Sequence, residues 1–167
     1  MAITVATQDQ LSANRNVESG TTIGLSSSSG NSTFSTTSGG TYTSTLNVTI
    51  FNGSSSITFF YKDTTRGTPT ITAAKSPSVD YTDATQKQTI TASAISKFTF
   101  TTSAHSVTKD TATPAITIQT QDSFGNAKNA GSNITVNLTS DAGTGKFDTS
   151  SGGAFDGSIT LITISSG

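Results

Sequence analysis

Four aspartates carry the main capacity for chemistry in this chain. Asp9 and Asp122 each close a strand-like run, within TQDQ and TQDS, and Asp80 and Asp83 share the segment DYTD. Hard cations such as Ca²⁺ want several oxygen ligands, and Asp, Asn and backbone carbonyls supply them. Asp9, Asp122, Asp80 and Asp83 are therefore the candidate calcium ligands, and calcium is the one cofactor the residues suggest. A local chemistry competes with it. Asp at the end of a strand accepts hydrogen bonds from the backbone just ahead and closes a turn. The turn is the preferred reading of Asp9 and Asp122, because neither an EF-hand spacing nor a G-G-x-G-x-D repeat is present.

Other reactive groups lack companions. His105 is the single histidine, no G-x-S-x-G elbow accompanies it, and no cysteine exists to complete a zinc site. It reads as an exposed strand-end residue, and no enzyme activity is expected. Lys62, Lys97 and Lys128 enter a second, minor reading as donors of isopeptide bonds to Asn, which requires a buried Lys, Asn and acid in contact. Asn31, Asn47, Asn52, Asn133 and Asn137 open N-x-[ST] sequons, only slightly more than chance supplies where Ser and Thr exceed a third of all residues. Phe59, Phe60 and Tyr61 offer rings for a sugar platform. In a strand, however, Phe60 faces away from its two neighbours, and core packing of one face is preferred.

Composition narrows the partners. Charged residues form 11% of the 167, with a formal net charge of −1. No basic stripe is available for phosphates, so nucleic acid is not an expected partner. No apolar run approaches the ~20 residues that span a bilayer, so membrane insertion is not expected, and a secretion signal would lie outside this chain. Leu, Ile, Val and Phe make up only about a fifth of the residues, near the border of disorder. The small net charge and the alternation of apolar residues with Thr point instead to folded β-structure. Without cysteine, no disulfide contributes.

The elements that position these residues are repeated. ITVATQDQLSANRN (3–16) matches ITIQTQDSFGNAKN (116–129), and the match runs on through 21–40 against 134–153, all at an offset of 113. Asp9 thus corresponds to Asp122, Leu25 to Leu138 and Phe34 to Phe147. Beyond them LNVTIFNG faces ITLITISSG with about one residue inserted. A period of this length suits a whole β-sandwich domain rather than a solenoid turn. Short alternating runs bounded by Gly, Ser, Asn or Asp predict strands at ITVAT, TTIGLS, TLNVTIF, SITFFYKD, TPTITAA and KQTITAS, then KFTFTTS, PAITIQTQD, NITVNLTS and SITLITI. No helical period is present. The fold class is all-β, as antiparallel sandwiches in tandem.

The segments ITIQTQDSFGNAKNAGSNITVNL (116–138) and ITFFYKDTTRGTPTITAA (57–74), with the turn D-x-x-G-N at Asp122, Gly125 and Asn126, resemble bacterial immunoglobulin-like repeats of the invasin/intimin kind. The resemblance covers most of the chain. In the first copy Ser12 and Ala13 replace the Gly-Asn pair, which leaves the form of that turn open. Repeats of this family occur in adhesin stalks and S-layer-associated surface proteins of bacteria or archaea. The resemblance implies an extracellular, cell-surface spacer without catalytic residues, and a glycan- or host-surface-binding module is the alternative. It also implies a phase: residues 1–94 form a repeat lacking its first strand, and 95–167 form one lacking its last strands. Exposed edges then invite strand pairing with neighbouring repeats or other copies of the chain. One version of that exchange places Lys97–Ser103 in the vacant first-strand position of the N-terminal repeat.

Overall fold

The computed structural model of the chain describes residues 2–77 and 80–167. Met1, assigned above to the first repeat, lies outside the described residues. The described residues form strands, turns and bends without a helix, and every strand pairing is antiparallel. The chain divides into two compact units, Met1–Thr91 and Ala92–Gly167.

The first unit has two sheets. One has the order β1-β5-β3, from β1 (Ala2–Ala6), β3 (Ser32–Ser35) and β5 (Ser56–Asp63). The other has the order β4-β2-β6-β7, from β2 (Thr21–Ser27), β4 (Leu46–Ile50), β6 (Thr70–Lys75) and β7 (Ala84–Lys87). Period-two alternation puts one face of each sheet into a shared core. Ile3, Phe34, Phe59 and Tyr61 come from the first sheet, and Ile23, Leu25, Val48, Ile50, Ile71 and Ala73 from the second, with Val17 between strands. Register aligns these residues across strands: Ile3 faces Phe59, Phe34 faces Tyr61, Ile23 faces Val48 and Leu25 faces Ala73. The Phe34 ring tilts against Phe59 and Tyr61, with centroids 6.2 and 5.4 Å away. Phe60, between two buried rings, points to the opposite face and is half-buried.

The second unit has two separate hairpins of sheet. β8 (Lys97–Phe100) pairs with β9 (Ile118–Gln121), and β10 (Ile134–Asn137) pairs with β11 (Leu161–Ile164). Lys97–Phe100 pairs with β9 within its own unit.

The internal repeat is visible in register. Thr21 faces Ile50 in the first unit and Ile134 faces Ile164 in the second, an offset of 113 on one strand and 114 on the other. This is the single inserted residue read from the sequence. Two elements differ from the sequence reading. Ser32–Ser35 is a strand that Ser-rich surroundings concealed. The strand expected over KQTITAS starts earlier, at Ala84, and its later residues continue the pairing only through bonds such as Gln88 N–H to Pro69 O, 2.9 Å, and Ile90 N–H to Gly67 O, 2.8 Å.

Candidate functional site

Both units build the turn holding Asp9 and Asp122 alike. In the first unit, Asp9 Oδ1 accepts the N–H groups of Leu11 and Ala13 at 2.9 and 3.0 Å. In the second, Asp122 Oδ1 accepts those of Phe124 and Asn126, both at 2.9 Å. The backbone repeats equally well. Asp9 N–H reaches Ala13 O at 2.9 Å and Ser12 N–H reaches Asp9 O at 3.0 Å, while Asp122 N–H reaches Asn126 O at 3.0 Å and Gly125 N–H reaches Asp122 O at 3.2 Å. A threonine two residues earlier fastens the outgoing chain: Thr7 Oγ1 donates to Arg15 O and Thr120 Oγ1 to Lys128 O, each at 2.6 Å.

The turn demands one left-handed residue, which Gly125 provides at φ 91° and Ser12 at φ 62°. Glycine reaches this region without a Cβ penalty and serine does not. The question left open by the Ser12-Ala13 pair is thereby closed. The two turns have the same form despite the change of residues, because carboxylate and backbone bonds hold both.

The two aspartates differ in depth. Asp9 is exposed, whereas Asp122 is 1% exposed. Asp122 Oδ2 accepts further bonds from Asn126 Nδ2 at 2.9 Å, Ser93 N–H at 3.0 Å and Ser93 Oγ at 3.4 Å. The Asn126 amide is the largest influence holding this carboxyl well below the usual carboxylate range; burial opposes it, and backbone N–H groups add to it. Ser93 lies far from Asp122 in sequence, and no local signal marked it as a partner.

Asp9, Asp80 and Asp83 belong to the first unit and Asp122 to the second. Asp80 pairs with Lys75 at 3.2 Å. Asp83 is exposed. Among the described residues, no three His, Cys, Asp or Glu side chains converge on one point. At Asp9 and Asp122 the Oδ1 atom accepts two backbone N–H groups of its own turn, which is the turn chemistry.

The remaining candidates sit on the surface. His105 is exposed in the connection between β8 and β9. Lys62, Lys97 and Lys128 are exposed too, and the Lys62 ammonium lies 3.9 Å from the centre of the Tyr42 ring. All five sequon asparagines are exposed. A polar cluster that sequence reasoning missed closes the edge of the first core. Tyr61 OH donates to Asp63 Oδ2 at 2.7 Å and Ser27 Oγ lies 3.1 Å from the same hydroxyl. Burial, reinforced by Asp63 and opposed by Ser27, pushes the Tyr61 phenol up to about 12.

The fold and turns define an all-β chain of two units that share a repeated local architecture. No protein family, curated protein or solved structure matches it.

Proposed function

We propose that this chain is a non-catalytic spacer: tandem immunoglobulin-like repeats of the invasin/intimin kind, from an extracellular surface protein of a bacterium or archaeon. The observation that carries the reading is the recurrence of one hydrogen-bonded turn, bond for bond, at an interval of 113 residues in two units. A chain that repeats a scaffold while leaving its loops chemically plain is built to add length. The commitment of both aspartates to backbone donors supports the same view, as does the isolation of His105. In this reading the exposed Ser, Thr and Asn residues serve as a neutral, hydrated coat.

Small-angle scattering tests it. One further 113-residue period inserted into the chain lengthens the particle by about one domain diameter, roughly 30–40 Å. A particle that merely thickens, with its longest dimension unchanged, contradicts a spacer.

A further inference from the structure

The two oxygens of the Asp122 carboxylate have different tasks. Oδ1 is spent on its own turn, on the N–H groups of Phe124 and Asn126. Oδ2 meets a segment that arrives from much earlier in the chain. It accepts Ser93 N–H at 3.0 Å and Ser93 Oγ at 3.4 Å, beside Asn126 Nδ2 at 2.9 Å. The carboxyl is held well below the usual range, so it is ionised at neutral pH. Hydrogen bonds to an ionised acceptor are stronger than their neutral equivalents.

The Asn126 amide fixes the plane of the carboxylate from the side of the turn. At the matching position of the first unit stands Ala13, which offers its backbone N–H and no side-chain donor. The additional bond is therefore a property of the residues of the second copy.

Ser93 sits in the stretch that leads from β7 into β8. Before it, Ile90 exchanges both backbone bonds with Gly67, donating at 2.8 Å and accepting at 3.0 Å, within the first unit. After it, Ser96 N–H donates to Gln121 O at 2.8 Å and continues the β8–β9 ladder within the second. Ser93 itself belongs to the second unit, as Asp122 does. With Ser93 held, the run between anchorages is 91–92, at most about 7 Å of extended chain. With Ser93 released the run becomes 91–95, up to about 17 Å.

We propose that Asp122 is a latch on this connecting segment: its Oδ2 pins Ser93 to the aspartate turn and takes up the slack between Ile90 and Ser96. The turn closes without the latch, through Oδ1 and the backbone, as the Asp9 turn does. The usefulness of the latch rests on the spacer reading, because a shorter free run leaves fewer conformations to the chain that joins two repeats. Its existence does not. The scattering test above can fail while the latch holds, and the latch can fail in a chain that still adds length.

The test is ¹⁵N relaxation by NMR on the whole chain. In wild type the backbone order parameters of residues 92–95 are expected near about 0.85, as in a strand. In Asp122→Asn they fall below about 0.6, while those of β8 and β9 stay high. Ser93→Ala keeps the main-chain donor and leaves the segment ordered. The proposal is overturned by low order parameters at 92–95 in wild type, or by persistent order there in Asp122→Asn. It is equally overturned if β8 and β9 loosen together with the segment, which would make Asp122 a support of the whole unit, or if Ser93→Ala loosens the segment as much as Asp122→Asn. Should Asp122→Asn fail to fold, hydrogen exchange in wild type decides. The Ser93 amide is expected to exchange at least roughly tenfold more slowly than that of Ala94, and equal rates overturn the latch.

Discussion

Corresponding residues in the two units sit at very different depths. Ile3 is 8% exposed and its counterpart Ile116 is 55% exposed. Leu25 and Phe34 are buried, whereas Leu138 and Phe147 are half-buried. The aspartate turn, by contrast, has the same bonds in both. The comparison separates two levels of structure. A turn of five residues closed by its own carboxylate is self-sufficient and forms whether or not a core stands behind it. A sandwich core is not self-sufficient, because each layer is buried only by strands far away in sequence. In the first unit those strands include β5, whose Phe59 and Tyr61 cover Phe34. Among the described residues the second unit has no element in that place.

The largest effect that separates the units is expected at the corresponding phenylalanines. Phe34→Ala removes a fully buried ring from between two aromatic neighbours, and a cavity of this kind costs about 3–5 kcal/mol. Phe147→Ala removes a ring already in partial contact with water, and costs about 1 kcal/mol. Hydrogen exchange read separately for each unit measures both. Equal losses would mean that the second core is as closed as the first, and the comparison would collapse.

A smaller effect, with the opposite unit as the sensitive one, is expected at the aspartates. Asp122→Asn turns an amide N–H₂ toward donors that now meet the carboxylate, including Ser93 and Asn126. The unfolding midpoint of the second unit falls by roughly 5–10 °C. Asp9→Asn, exposed and holding only its own turn, moves the first unit by no more than about 2 °C. Acid provides the same contrast without mutation. The folded Asp122 carboxyl titrates below its unfolded value, which lies near 3.9. The unfolded chain therefore takes up a proton first. The stabilisation is complete above about pH 5, and it drains away as the pH falls through the unfolded value toward the folded one. Thermal melts of wild type and Asp122→Asn should differ widely at neutral pH and converge in acid. A constant gap would assign the loss to packing instead of charge.

What was legible in the chain follows the same division. SITFFYKD reads as a strand and is one, from Ser56 to Asp63, because alternation and β-branched or aromatic residues are local properties. The repeat alone located the matching turns, and the inserted residue appears in the β10–β11 register. Ser32–Ser35 escaped notice because a single Phe among Ser and Thr carries no alternation; its strand exists through pairing with Lys62, Tyr61 and their neighbours. Ser93 as a donor to Asp122 was invisible for the related reason that the contact spans 29 residues. Phe34 and Phe147 stand in similar Thr- and Gly-rich surroundings, which by themselves carry no sign of their difference in burial.

The smallest predicted effect bears directly on the autonomy of the turn. Ser12 and Gly125 hold the same left-handed position, at φ 62° and 91°. An L-residue there costs about 1 kcal/mol, partly offset by the greater freedom glycine gains on unfolding. Ser12→Gly should therefore stabilise the first unit by a few tenths of a kcal/mol to about 1 kcal/mol, and Gly125→Ser should destabilise the second by a similar amount. Steric conflict adds little. A Cβ at Gly125 would meet only the ends of Gln121 and Lys97, at 3.9 and 4.0 Å. Opposite shifts of matching size, read by denaturant melts resolved by unit, would establish the two turns as interchangeable parts. If Gly125→Ser instead cost several times more than Ser12→Gly returned, the buried Asp122 network would be enforcing a geometry that the exposed Asp9 turn does not need. The two turns would then share bonds without sharing energetics.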